Sequence, residues 1–144
     1  MNTFLVLVIF AQAMTLSLAG FKELYSQYAA DCKTQLNANE EDSVALGSFE
    51  IPKNEAQSCL VDCLYNKLGL IVDGKLSEQA HKNISVAIAG NDKEKLAKMD
   101  DVFQKCMKEV PQGADQKCTV GKALRACVVK YAPEVQKMKY KPTS

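Results

Sequence analysis

The chain has 144 residues, with 18 Lys and Arg against 17 Asp and Glu and a net charge of +1. That near-neutral balance excludes nucleic acid as a partner. A single histidine, His81, and a Cys59–Cys63 interval of helical rather than knuckle spacing exclude a structural zinc site, so neither metal nor cofactor is expected.

The first segment reads as a leader. Residues 4–14 form an apolar run, after which Ser17 and Ala19 occupy the −3 and −1 positions of a signal-peptidase site. A cut after Ala19 gives a signal peptide over 1–19 and one domain over 20–144. The run is shorter than the ~20 apolar residues that cross a bilayer. No later segment is long or apolar enough, so export without stable membrane insertion is expected.

Helices follow in order. Phe21, Leu24, Tyr25, Tyr28, Cys32 and Leu36 recur at intervals of three and four, the stripe of an amphipathic helix. A short helical segment is expected at 42–47, followed by the extended link Phe49-Glu50-Ile51-Pro52. Leu60, Cys63, Leu64 and Leu68 mark a third helix, with Asp62, Asn66 and Lys67 toward its other side. Asp73-Gly74 is a turn, and Ser77 is the N-cap of a fourth helix over 77–89. Gly90-Asn91-Asp92 separates it from a fifth, capped by Asn91 or Asp92 and marked by Leu96, Met99, Phe103, Cys106 and Val110. After Pro111-Gln112-Gly113 a sixth helix carries Cys118, Leu124, Cys127, Val128 and Tyr131. Pro133 ends it, leaving a tail over about 132–144. No alternating strand pattern of useful length occurs. The expected fold class is all-α, a compact bundle of six helices.

Six cysteines, at 32, 59, 63, 106, 118 and 127, form an even set in an exported chain and read as disulfides. Cys59 and Cys63, one turn apart on a helix, have Cβ atoms roughly 5–6 Å apart, beyond the ~3.8 Å of a disulfide. Cys118 and Cys127, read on one continuous helix, are about 13.5 Å apart along its axis. Neither pair can close. Of the fifteen pairings open to six cysteines, ten survive. In all ten the helix carrying Cys59 and Cys63 is tied to two other points of the chain. It is the hub of the fold.

The intervals run C-x26-C-x3-C-x42-C-x11-C-x8-C. Together with the leader, the mature length, the stretches Leu68-Gly69-Leu70 and Asp73-Gly74-Lys75-Leu76 and the helix pattern, they closely resemble the six-cysteine odorant-binding proteins of insects. The resemblance covers the whole mature chain. It implies the disulfides Cys32–Cys63, Cys59–Cys118 and Cys106–Cys127, one of the ten arrangements left open. It also implies that the stapled bundle encloses an apolar pocket for a small apolar or amphipathic organic molecule, an odorant or pheromone.

Positions matching those that line such pockets are Phe21, Tyr25 and Tyr28 on the first helix and Val61, Tyr65 and Leu68 on the third. Met99 and Phe103 on the fifth and Val128 on the sixth complete the wall. Each has a plain alternative as ordinary core. Tyr65 adds a hydroxyl able to give a polar ligand head one hydrogen bond, the usual design of a mostly apolar site with few polar groups. Val135, Met138 and Tyr140 stand among the charges of the tail. Relatives with tails of this length fold them back over the pocket, and Met138 is the residue expected to close a wall; the alternative is a frayed terminus. Some relatives release ligand on acidification through histidines and tail acids. Here His81 is expected instead to be an exposed helix residue.

The implied function is a secreted carrier, in sensillum lymph or another body fluid, that solubilises odorants or pheromones and delivers them to membrane olfactory receptors. A weak homodimer stays open. One alternative is a non-olfactory secreted carrier of small lipids or hormones. A membrane-active or signalling helical protein is another, supported only by charge. From Lys105 onward nine Lys and Arg face three acids, whereas residues 21–104 carry nine against fourteen; a solvated basic face is the simpler account. An enzyme needs a nucleophile–base pair or a metal. His81 lacks the neighbouring cysteine that accompanies the histidine of secreted helical phospholipases, so no enzyme and no catalytic residue is expected. Asn83-Ile84-Ser85 is a glycosylation sequon, but a helix interior is a poor acceptor and it is expected to stay empty.

Overall fold

The structure, a computed structural model, describes residues 18–113, 115 and 117–138. The leader predicted over 1–19 lies almost wholly outside the described residues, and Tyr140 lies outside them as well. In chain order the elements are α1 (Leu18–Gln35), α2 (Glu40–Ser43) with a 3-10 turn (Val44–Leu46), and α3 (Glu55–Lys67). A hairpin of β1 (Ile71–Val72) and β2 (Lys75–Leu76) follows, then α4 (Glu78–Ala89), α5 (Lys93–Glu109), α6 (Val120–Tyr131) and a closing 3-10 turn (Pro133–Lys137). The fold is all-α in class, with six α-helices among the described residues. None of them is long and apolar enough to cross a membrane.

Local chemistry sets the helix starts. Asn39, Asn54, Ser77 and Asp92 have extended backbones, and their side chains accept from the backbone N–H of Asp42, Gln57, Ala80 and Lys95. Helix α6 begins differently. Its N-cap Thr119 makes no side-chain capping bond. The N–H of Gly121 donates instead to Oδ1 of Asp62, at 3.1 Å. Asp62 was placed by its spacing on the polar side of α3; that side is where α6 docks, so the carboxylate caps a neighbouring helix. The approach is close. A Cβ on Gly121 would lie 2.9 Å from the Cα of Asp62.

The hub expected at Cys59–Cys63 is found. Helix α3 packs against α1, α2, the first 3-10 turn, β1 and α6, and its Leu60, Val61 and Leu64 are buried completely. Cys32–Cys63 ties it to α1, Cys59–Cys118 ties it to the turn ahead of α6, and Cys106–Cys127 ties α5 to α6. This is the pairing the resemblance implied.

Two expectations are corrected. Cys118 is not on the sixth helix: its φ is +61° and α6 starts at Val120. The left-handed residue breaks the helix before Cys127 is reached, so the axial distance invoked against a Cys118–Cys127 bond was measured along a helix that does not exist. The segment after α3, where only a turn was expected, is a hairpin. Ile71 pairs with Leu76 and Val72 with Lys75 around Asp73 and Gly74, whose φ values are +51° and +76°. Two-residue strands alternate only once, too little for a period to register. Gln112 anchors the hairpin to the α5–α6 link. Its Oε1 accepts from the N–H of Leu76 at 2.8 Å and its Nε2 donates to the carbonyl of Met107 at 3.1 Å.

Pro133 ends α6 as expected and opens the closing 3-10 turn, which lays Val135 on the core and pairs Glu134 with Lys98. The sequon lies inside α4, with Ser85 buried.

Candidate functional site

Seven of the ten residues expected to line a pocket meet in one apolar cluster. Val61, Tyr65 and Phe103 form part of its buried centre, and Tyr25, Tyr28, Leu68 and Val128 pack on it half-buried. They arrive from α1, α3 and its C-cap, α5 and α6, the helices that the disulfides hold together. Tyr25 Oη donates to the carbonyl of Leu46 at 2.7 Å and so clamps α1 to the first 3-10 turn. The other three stand apart. Phe21 is buried one turn earlier on α1, its ring centroid 6.1 Å from that of Tyr25. Met99 is half-buried on α5 outside the cluster. Met138 is 51% exposed, and the tail contact with the core is made by Val135.

Sequence reasoning missed Arg125. It is 1% exposed, on the inner face of α6 four residues after Gly121 and three before Val128. Its Nε donates to Tyr65 Oη at 3.2 Å, and its Nη1 donates to the carbonyls of Ala45 and Glu50 at 2.5 and 3.3 Å. The rings of Phe49 and Tyr65 flank the guanidinium with centroids 5.6 Å from Cζ. No carboxylate forms an ion pair with it among the described residues. A signal was present. Arg125 is the only arginine of the chain, every other of the 18 basic residues being lysine, and it falls on an apolar stripe.

His81 is not the exposed helix residue expected. Helix α4 packs on α5 through this face, and the imidazole stacks on Phe103 with centroids 4.0 Å apart and planes 2° from parallel. Ser85 Oγ lies 3.4 Å from Nε2, and Asp100 Oδ1 lies 3.9 Å from it. Burial holds the pKa below the ordinary imidazole value, aided by Lys82 and opposed by the charges of Asp100 and Glu78.

Two grooves open on the surface. One, of 340 Å³, runs between α1 and the α2–3-10 segment, with Ala29, Ala30, Val44 and Leu46 in its walls and the Lys33–Glu40 ion pair at its edge. The other, of 220 Å³, is more polar and lies beside Asp62, Asn66 and Lys117. None of the ten predicted residues borders either groove.

Six helices, three interlocked disulfides and an aromatic core at the hub helix define the class: a disulfide-braced helical fold. A sequence profile of the PBP/GOBP family matches residues 17–131, and the chain belongs to that family. It is 26% identical over 110 residues to general odorant-binding protein 19d of Drosophila melanogaster, covering 76% of this chain and 72% of the relative. With general odorant-binding protein 56a of the same fly it shares 25% identity over 142 residues, covering 92% and 96%. The solved structure of the Drosophila melanogaster odorant-binding protein dmelOBP28a has a similar fold, with a TM-score of 0.63 at 22% identity over 76% of this chain and 90% of that one. The family is one of ligand carriers, not enzymes.

Proposed function

We propose that the protein is a secreted carrier that takes a small apolar or amphipathic molecule into the cluster around Val61 and Tyr65, keeps it dissolved in an aqueous body fluid and delivers it to membrane olfactory receptors. The observation that carries this reading is the convergence of Tyr25, Tyr28, Val61, Tyr65, Leu68, Phe103 and Val128 on one disulfide-braced core. Relatives named as odorant-binding proteins support it. The half-buried members, Tyr25, Tyr28, Leu68 and Val128, are the ones that give way to a guest. Phe21, Met99 and Met138 stand apart from this centre and are assigned to the wall of the loaded protein. A ligand of about 15 heavy atoms at roughly −0.5 kcal/mol per atom binds near micromolar, tight enough to carry and weak enough to release.

Titration with the neutral fluorescent probe N-phenyl-1-naphthylamine tests the proposal. Saturable binding that 1-decanol reverses is expected; failure of every apolar competitor to displace the probe would sink it. Export is tested separately, by N-terminal sequencing of the protein recovered outside expressing cells, which is expected to begin at Gly20.

A further inference from the structure

A guanidinium buried without a carboxylate is unusual, because taking a cation out of water costs several kcal/mol unless an anion or a full set of acceptors replaces the water. Arg125 has part of such a set. Nε and Nη1 give three hydrogen bonds, to Tyr65 Oη and to the carbonyls of Ala45 and Glu50. The two N–H bonds of Nη2 find no acceptor among the described residues. No completely buried side-chain nitrogen or oxygen there lacks a partner, so Nη2 keeps a sliver of exposure although Arg125 as a whole is 1% exposed. Tyr65 accepts from Nε and therefore still has its own O–H proton to give, again with no acceptor among the described residues. A cation with two free N–H bonds and a free phenol O–H thus stand together in an apolar core. Neutral acceptors satisfy the rest, so the local charge is unbalanced by one.

Resting on the carrier reading above, we propose that Arg125 and Tyr65 form the polar end of the binding site and that the ligand is an apolar chain ending in a carboxylate. The carboxylate accepts from Nη2 and from Tyr65 Oη and supplies the missing negative charge, while its chain lies among Val61, Phe103 and Val128. Hydrogen bonds between charged partners are the stronger kind. They are needed here, because an ionised acid enters an apolar site far less readily than its ester unless a cation receives it.

The test compares decanoate, methyl decanoate and 1-decanol as competitors of N-phenyl-1-naphthylamine on the full mature chain at neutral pH. Decanoate is expected to displace the probe at a concentration at least about tenfold below that of the methyl ester. Arg125→Gln is expected to abolish that preference, read as the ratio of the decanoate and methyl decanoate concentrations that displace the probe within the variant. Because Arg125 also holds two carbonyls and its replacement risks the fold, a second measurement uses the unaltered protein. The bound carboxyl of ¹³C-labelled decanoate, titrated by NMR, is expected to ionise at lower pH than free decanoate. Probe binding with decanoate no better than the ester, or a bound carboxyl that titrates at or above the free value, overturns the assignment and leaves the carrier reading intact. Absence of any probe binding overturns both.

Discussion

Tyr65 Oη accepts from Nε of Arg125 on α6 and keeps its own proton to give, in the same cluster as Val61. Removing the hydroxyl in Tyr65→Phe is expected to weaken 1-decanol about threefold to tenfold, the worth of one hydrogen bond, and to leave the neutral probe unchanged. An unchanged ranking of alcohols in the displacement assay would remove Tyr65 from the site. His81 gives a pH dependence of known sign. Its folded-state pKa lies below the ordinary 6.5, so as pH falls the unfolded chain takes up the proton first. The contribution to stability is full above the ordinary imidazole range, is lost as pH falls from there to the folded pKa, and is constant below it. Urea midpoints measured across that interval are expected to fall, and His81→Gln to flatten the decline; an equal slope in the variant would contradict it. The place of Tyr65 in the apolar cluster was legible through the family resemblance. The burial of His81 and Arg125 was not, because a helix stripe records which residues share a face but not what lands on it.

At the scale of the element, the contact between α3 and α6 decides the shape of the hub. In an exposed helix Gly121→Ala would add up to about 1 kcal/mol of helix propensity. Here the new methyl meets the backbone of Asp62 at 2.9 Å, and backbone cannot swing aside as a side-chain tip can. A net loss of about 1–3 kcal/mol is expected, measured by equilibrium denaturation; a gain would show that α6 slides freely on α3. The helices themselves were legible where stripe and cap agree, as at Ser77 and Asp92, each bonded to the N–H three residues on. The start of α6 was not, since its first turn is capped by Asp62, a residue far away in the chain. The hairpin at Asp73-Gly74 gave only its turn, because two-residue strands carry no readable alternation.

For the molecule as a whole, the cysteine intervals carried most of the fold. Helix geometry alone left ten pairings, and only the family resemblance that the intervals carry implied the one observed. Each bridge contributes ~2–4 kcal/mol, and a guest displaces core contacts worth roughly 24 cal/mol per Å³ of space opened. The braced shell therefore tolerates opening that an unbraced domain of this size would not. Reduction is expected to lower the urea midpoint sharply and to abolish probe binding; a reduced protein as stable as the oxidised one would refute the bracing account. The place of the guest is the central claim, and two regions compete for it: the core at the hub helix and the groove between α1 and α2. Intermolecular NOEs from 1-decanol to methyl-labelled protein separate them. Contacts to the methyls of Val61, Leu68 and Val128 are predicted, and contacts confined to Ala29, Ala30 and Val44 would contradict the account.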